Sequence, residues 1–176
     1  MGHDQLWAPW RLAYVKGDAR DEPARPVTLL SGGDYQCFLC RAVADTDDRT
    51  NLVVHRGERT FAVLNRYPYN NGHLMISPHQ HLGRLDEIDA ATHAEAIATI
   101  TRVTQTMERL MNAHGFNVGL NLGRAAGAGV PGHLHWHVVP RWDGDTNFMP
   151  VLTDAKVVSQ SLDSLWELLS PALAGT

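Results

Sequence analysis

Three histidines occupy every second position in the segment GVPGHLHWHVVPRW, which spans residues 129–142. Because side chains alternate across a β-strand, this spacing predicts that His133, His135 and His137 share one face and the apolar residues between them share the other. Neutral imidazole is a nucleophile and a proton carrier near pH 7. The glycine-rich stretch RAAGAGVPG before the histidines can turn backbone N–H groups toward a phosphate. The pattern therefore predicts attack by a histidine on a phosphorus atom held by main-chain donors.

A second reactive group is the pair Cys37 and Cys40, spaced C-x-x-C, which accounts for both cysteines of the chain. In a reducing compartment this spacing indicates metal or redox chemistry before a structural disulfide. A zinc site needs four ligands, of which such a pair supplies two. The alternative is a pair of buried apolar cysteines. A thioredoxin-like pair is disfavoured, because the sequence shows no βαβ unit around it.

Five β-rich runs must position these residues: NLVVHR, TFAVLNRYP, GHLMISP, FNVGLNLG and HLHWHVVP. The turn at Gly57 and Glu58 predicts a hairpin of the first two runs, and Pro140 is predicted to stop the last. A helical pattern runs from about Asp89 to Ala113. Its apolar stripe comprises Ile97, Ile100, Thr104, Met107 and Met111. Residues 1–50 are interpreted as irregular, and a weaker helix is predicted from about 157 to 173. The predicted class is α+β, with an antiparallel sheet of about five strands, one long helix and a C-terminal helix.

The composition is that of a single globular domain: 176 residues, 44% hydrophobic and 19% charged. A net charge of −4 argues against general nucleic-acid binding, which uses a basic surface. No apolar run approaches the roughly 20 residues that cross a bilayer, and the first residues are too polar for a signal-peptide core. We therefore expect no membrane partner and a cytoplasmic location.

The segment HLHWHVV (133–139) is similar to the H-φ-H-φ-H-φ-φ pattern of the histidine triad (HIT) family. FAVLNRYPYNNGHLMISP resembles that family's second and third strands, and HGFNVGLNLGRAAGAG resembles its approach to the triad. LWAPWRLAYV, NRYPYNNGHLM and PRWDGDTNFMP look most like the branch of dinucleoside tetraphosphate (Ap4A) phosphorylases and related hydrolases. The resemblance implies one HIT-like domain over residues 1–176. It would comprise an arm with the cysteine pair over 1–50, a core over 51–150 and a C-terminal helix over 151–176.

The resemblance also implies a role for each matching position. His135 would attack the α-phosphorus and form a covalent nucleotidyl-histidine, while His137 would bind phosphate oxygens and assist the leaving group. Asn65 would contact the ribose and Asn121 a phosphate oxygen. The backbone of Gly127, Ala128 and Gly129 would hold further phosphate oxygens. Weaker candidates are Phe61 and Leu64, for a base pocket or simply the core, and Arg124 and Arg141, for ligand charge or a solvated surface.

For the cysteine pair, the resemblance implies a ligand set completed by His81 and by His133. His81 fits the family's distance after Pro78 better than His79 does. A closed set of four would hold a structural Zn²⁺, and the expected chemistry requires no catalytic cofactor. HIT proteins also commonly dimerise through the long helix and the adjoining strand, which implies a homodimer.

One position departs from the family pattern. Many family hydrolases carry Gln four residues before the first triad histidine, and the phosphorylases carry a hydroxyl residue nearby, whereas this chain has Gly129. The expected activity is cleavage of dinucleoside polyphosphates such as Ap4A through a nucleotidyl-His135, with either phosphate or water as acceptor. The alternatives are an adenosine phosphoramidase, a catalytically weak nucleotide-binding or sensor protein, and a zinc-dependent interaction module.

Overall fold

The computed structural model of the protein describes residues 26–146 and 158–174. Its helices there are α1 (Phe38–Ala44), α2 (Ala90–Met111) and α3 (Leu162–Ala174). Its strands are β1 (Val53–Arg56), β2 (Thr60–Leu64), β3 (Leu74–Pro78), β4 (Gly115–Leu120) and β5 (Trp136–Arg141). Short 3₁₀ turns span Leu85–Glu87 and Arg124–Ala126.

The five strands form one sheet in the order β1-β2-β3-β5-β4, and every neighbouring pair is antiparallel. The predicted α+β class, with its antiparallel sheet and long helix, is confirmed. Helix α2 lies between β3 and β4 in sequence, and β5 pairs with β3 on one side and with β4 on the other. His137 of β5 therefore has Met75 of β3 and Gly119 of β4 as its cross-strand neighbours.

Helices α2 and α3 cover one face of the sheet. Helix α2 packs on β2, β3 and β5, and α3 packs on β1 and α2. Leu165, Leu169 and Leu173 recur every fourth residue along α3 and are all buried, as an amphipathic helix requires. The Trp136 ring lies 6.2 Å from His93 of α2, which places the even-numbered residues of β5 on the helix side. The odd-numbered side of β5, with His137, is thereby directed to the open face.

The bounds of α2 follow from its two caps. The Asp89 carboxylate accepts a hydrogen bond of 2.7 Å from the Thr92 N–H at the start. Asn112 adopts the left-handed conformation at the end, with φ of 50°.

The predicted apolar stripe of α2 is partly wrong, since Ile97 is 58% exposed. The buried face passes instead through Ala96, Ile100, Val103 and Met107, at steps of four, three and four residues.

Two predictions about local structure are corrected. Residues 38–44 form α1 and are not irregular; the helix depends on a distant side chain, because the Arg56 guanidinium donates to the carbonyls of Ala42, Val43 and Asp45. Pro140 does not stop the last strand, which continues to Arg141. Beyond Val138 the ladder to β3 has ended, so β5 pairs with β4 alone and tolerates a residue without an N–H.

The expectations for the chain ends fall partly outside the described residues. The part of the arm over 1–25 and the stretch 147–157 are not among them. The C-terminal helix predicted for 151–176 is described from Leu162 to Ala174. In the described part of the chain, no helix has the length and apolarity that crossing a bilayer requires.

Candidate active site

His135 is held in one tautomer by the main chain. It lies just before β5 and is 7% exposed, and its Nδ1 is 2.8 Å from the carbonyl oxygen of His133. A carbonyl only accepts, so Nδ1 carries the proton and the lone pair is on Nε2. Burial lowers the pKa of His135, which favours the neutral ring. Nε2 has no hydrogen-bond partner among the described residues, so it is available as a nucleophile.

His137 is held in the opposite tautomer through His73. The Tyr69 N–H donates to Nδ1 of His73 at 3.0 Å, so Nδ1 is the acceptor and Nε2 of His73 carries the proton. That proton is donated to Nδ1 of His137 over 2.9 Å. His137 must then carry its own proton on Nε2. The rings of His135 and His137 lie 5.0 Å apart, which places a lone pair and an N–H donor side by side.

His73 is not among the residues that the sequence predicts to do chemistry. It is 1% exposed, and the Tyr69 ring stacks on it at 4.7 Å with an interplanar angle of 18°. Its contact with His137 arises because β3 pairs directly with β5, although 64 residues separate the two histidines. In the sequence, a glycine followed by a histidine just before β3 is the only local sign of it, and this sign does not indicate a contact with His137.

The two predicted binding asparagines flank this histidine pair. Asn121 Nδ2 lies 3.4 Å from Nε2 of His137. Because Nε2 carries a proton, the amide must present its oxygen there, which a 180° turn of the amide group achieves. On the other side, Asn65 Nδ2 lies 3.4 Å from Nδ1 of His73, and its Oδ1 accepts from the Tyr67 N–H at 2.9 Å. The fold thus brings Asn65 and Asn121 to opposite ends of the His73–His137 pair.

The glycine-rich loop is less open than the sequence predicts. The Gly127 N–H donates to Arg124 O at 3.0 Å, and the Ala128 N–H donates to Gly123 O at 3.2 Å. Two of the three predicted phosphate donors are therefore engaged within the turn that follows the 3₁₀ segment. The Gly129 N–H makes no backbone hydrogen bond to a described residue, so it is the donor of the three that is ready for a ligand.

The weaker candidates lie in the core or at the surface, and both locations are among those predicted for them. Phe61 and Leu64 are fully buried in the core, at 0% and 1% exposure, which fits the core interpretation. Arg124 is exposed at the start of its 3₁₀ turn. Arg141 pairs with Asp145 through two hydrogen bonds of 2.6 and 2.9 Å.

A second cluster brings together the four predicted metal ligands. The ligand atoms of Cys37, Cys40, His81 and His133 all lie within 4.8 Å of one another. His133 Nε2 donates to Pro78 O at 2.9 Å, so its Nδ1 lone pair is directed at the sulfurs, 3.4 Å from Cys37 and 3.5 Å from Cys40. His81 Nδ1 lies 3.1 Å from Cys40 Sγ. Two sulfur and two imidazole donors form a set that a tetrahedral metal ion accepts, so the cluster can hold a metal.

Local geometry explains why these four residues meet. Cys37 is the N-cap of α1 and Cys40 lies within its first turn, so both thiols lie on one side. The two histidine segments are joined by the Leu134 N–H, which donates to Leu82 O at 2.7 Å. They also pack tightly, since a Cβ at Gly132 would lie 3.0 Å from His81 Nε2.

Burial governs the ionisation of the cluster residues. Burial raises the pKa of the Cys37 thiol to about 12 and lowers the pKa of His133 to about 4. In the protein alone, both groups are thus neutral at pH 7. A bound cation would favour the thiolate over the thiol.

A surface cavity of about 430 Å³ adjoins His137 on the open face of β4 and β5. Its walls include Tyr69, Asn121 and Val139, and Arg141 lies at the far end of β5. The described residues thus combine an imidazole with a free lone pair on Nε2, a neighbouring N–H donor, a surface cavity and a separate cluster of metal-ligand type.

The chain is similar to known proteins in both sequence and structure. The HIT domain model matches residues 47–144. The chain is 38% identical to the AP-4-A phosphorylase of Mycobacterium tuberculosis (strain H37Rv), over 94% of this chain and 82% of that protein. The crystal structure of a Zn-bound histidine triad family protein from Mycobacterium smegmatis superposes with a TM-score of 0.58 at 27% identity, over 70% of this chain and 84% of that one. A hypothetical histidine triad nucleotide-binding protein from Sulfolobus tokodaii gives a TM-score of 0.62 at 25% identity, over 78% and 92%.

Proposed function

Since the chain belongs to the HIT domain family, we propose that it is a nucleotidyl hydrolase or transferase that cleaves dinucleoside polyphosphates such as Ap4A. The similarity to a protein named AP-4-A phosphorylase supports this substrate class. The observation that carries the proposal is the pair of opposite tautomers. His135 offers a lone pair and His137 offers an N–H only 5.0 Å away, measured between ring centres.

The reaction would proceed in two steps. His135 Nε2 attacks the α-phosphorus; a P–N bond forms, and the bond to the bridging oxygen of the remaining polyphosphate breaks. The N–H of His137 donates to that oxygen as it departs, which stabilises the developing negative charge. Water or inorganic phosphate then attacks the phosphorus, and the P–N bond breaks. Water yields AMP and ATP from Ap4A, whereas phosphate yields ADP and ATP.

The remaining site residues would bind the nucleotide. Asn65 would contact a ribose hydroxyl, and Asn121 would contact an oxygen of the α-phosphate. The Gly129 N–H would donate to a second phosphate oxygen, and Gly127 and Ala128 would add their N–H groups once their turn bonds open. The site would thereby supply hydrogen-bond donors close to the phosphorus, where they would stabilise the negative charge of the transferring nucleotidyl group.

We also propose that the metal of the second cluster is Zn²⁺, held by Cys37, Cys40, His81 and His133. Four protein ligands leave no open position for water, so the ion would be structural. It would cross-link α1 to the two segments that flank β3 and β5. The residues of the reaction itself would need no metal.

Three further proposals concern the whole molecule. Residues 1–176 would form a single HIT-like domain, with an arm over 1–50, a core over 51–150 and a C-terminal helix within 151–176. A homodimer would form through the edge strand β4 and α2, which expose Val118 by 48% and Ile97 by 58%. A cytoplasmic location would keep the two cysteines reduced and able to bind metal.

The test is turnover of Ap4A by the wild type, with and without inorganic phosphate, read by product identity. AMP and ATP without phosphate identify a hydrolase, and phosphate-dependent ADP identifies a phosphorylase. His135→Ala should abolish turnover, whereas His114→Ala, at an exposed histidine immediately before β4, should not. Faster turnover of adenosine 5′-phosphoramidate than of Ap4A would favour the phosphoramidase. Tight nucleotide binding without turnover of either substrate would contradict an enzymatic role.

A further inference from the structure

The cavity beside His137 extends away from the nucleophile. His137 lies at one end of it and Arg141 near the other, four residues further along β5, or about 13 Å at the usual rise of a strand. His135 is not among the lining residues. Asn65, the proposed ribose contact, lies at the other side of the histidine pair, next to His73. The cavity therefore begins where the leaving oxygen would depart and continues away from the bound nucleotide.

The floor of the cavity is kept open by a glycine. Gly119 of β4 is the cross-strand neighbour of His137, and a Cβ built on it would meet nothing within 4 Å. Its backbone is not left-handed, so the conformation of the chain does not demand glycine there. Glycine inside a strand costs stability and often marks a place where a ligand approaches closely. The open floor thus points to an occupant of the cavity.

The far end of the cavity is polar but electrically balanced. Arg141 donates to both carboxylate oxygens of Asp145 and to Asn117 Oδ1, the latter at 2.8 Å. The carboxylate also accepts from Asn70 Nδ2 at 2.8 Å and from the Thr146 hydroxyl at 3.3 Å. The cation and the anion compensate each other. The lining then offers amides, a hydroxyl and the remaining guanidinium N–H groups, which suit an uncharged hydrogen-bonding ligand better than a terminal phosphate.

We propose that this cavity binds the second nucleoside of the substrate, the one that departs with the polyphosphate. The inference rests on the proposed function. A bound second nucleoside would make the enzyme prefer dinucleoside polyphosphates to mononucleoside polyphosphates. A volume of about 430 Å³ is within the usual range of small-ligand sites. Val139 provides an apolar wall for a base or sugar, and Asn117 provides an amide.

The experiment compares Ap4A with adenosine 5′-tetraphosphate. Both carry an adenylyl group on four phosphates, and only Ap4A has the second adenosine. The wild type should show kcat/KM at least about tenfold higher for Ap4A. Gly119→Val fills the floor and should reduce that ratio about tenfold. Gly115→Val is the matched control: it lies on the same strand, a Cβ there also meets nothing within 4 Å, and it does not line the cavity.

Equal kcat/KM for the two substrates in the wild type would overturn the inference, as would an unchanged ratio in Gly119→Val. Circular dichroism and gel filtration verify that each variant keeps its fold and its oligomeric state. If Gly119→Val does not fold, Asn117→Ala replaces it, with a several-fold loss of the ratio expected.

Failure of the proposed function is distinguishable from failure of this inference. If the wild type turns over neither substrate, the proposed function fails. The cavity is then tested by titrating the two ligands into the wild type. A ratio of dissociation constants that favours Ap4A and is lost in Gly119→Val supports the second-nucleoside site, and equal constants reject it.

Discussion

Nε2 of His73 lies 2.9 Å from Nδ1 of His137, and the proton between them belongs to His73. The Tyr69 N–H, by donating to the other nitrogen of His73, determines the direction of this bond. The His133 carbonyl determines the opposite arrangement for His135. Main-chain groups thus hold two neighbouring imidazoles of the same sequence motif in opposite tautomers. His135 can attack, and His137 can donate.

His73→Ala should lower kcat for Ap4A by one to two orders of magnitude, because His137 would lose the partner that keeps its proton on Nε2. His73→Gln retains an N–H donor and should recover part of the loss. The loss should be much smaller for an adenylyl ester with a good leaving group, such as p-nitrophenol, which departs without a proton. Steady-state kinetics on both substrates provide the measurement.

A merely structural role for His73 would affect both substrates alike. ¹⁵N chemical shifts of the histidine rings give a second readout, since they report which nitrogen carries the proton. His137 protonated on Nδ1 in the wild type would contradict the assignment.

Of the two neighbouring histidines His79 and His81, only His81 should be needed for zinc binding. His81→Gln removes a ligand and should reduce zinc content, measured by elemental mass spectrometry, from about one per chain toward zero. His79→Gln is the control, since His79 Nε2 donates to Thr60 O and takes no part in the cluster. Zinc at a hundred times its dissociation constant should stabilise the wild type by about 2.7 kcal/mol, and chelation should remove that increment. Equal zinc content in the two variants would refute the ligand assignment.

The pair of Arg141 and Asp145 should contribute to stability in a pH-dependent way. The Asp145 side chain is 9% exposed, and hydrogen bonding from Arg141 holds its pKa well below the usual range. A carboxyl whose pKa is lower in the folded state stabilises the fold above its unfolded pKa of about 4, and this stabilisation is lost as the pH falls below that value.

Asp145→Asn should therefore lower the free energy of unfolding by about 1–3 kcal/mol at pH 7. The difference from the wild type should shrink below about pH 4. Asp143→Asn is the matched control, because the Asp143 side chain is 98% exposed. Denaturant unfolding at several pH values gives the comparison. A deficit for Asp145→Asn that stays constant down to pH 2 would show that charge is not its cause.

Local patterns predicted much of this architecture. Alternating apolar residues marked the strands, and His135 and His137 do have adjacent rings on the open face. The histidine alternation begins before β5, however, and the His133 ring packs 5.1 Å from His81. The C-x-x-C spacing indicated a metal site, and the family resemblance supplied its two histidines, which the fold brings together.

Features that depend on distant partners were not predictable in this way. Helix α1 spans seven residues, and the carbonyls at its end are capped by Arg56 of β1, beyond the range of any local pattern. The role of His73 depends on the pairing of β3 with β5, which the order of strands along the chain does not reveal. The closed turn at Gly127 and Ala128 likewise depends on backbone hydrogen bonds that a glycine-rich composition leaves undetermined.

The central claim is that Nε2 of His135 forms a bond to phosphorus. The most direct measurement is rapid acid-free quenching of the enzyme during Ap4A turnover, followed by proteolysis and mass spectrometry of the peptide that contains the triad. The account predicts one AMP group on that peptide, located at His135 by fragmentation and absent from His135→Ala. An AMP group on another residue, or full turnover by His135→Ala, would contradict it.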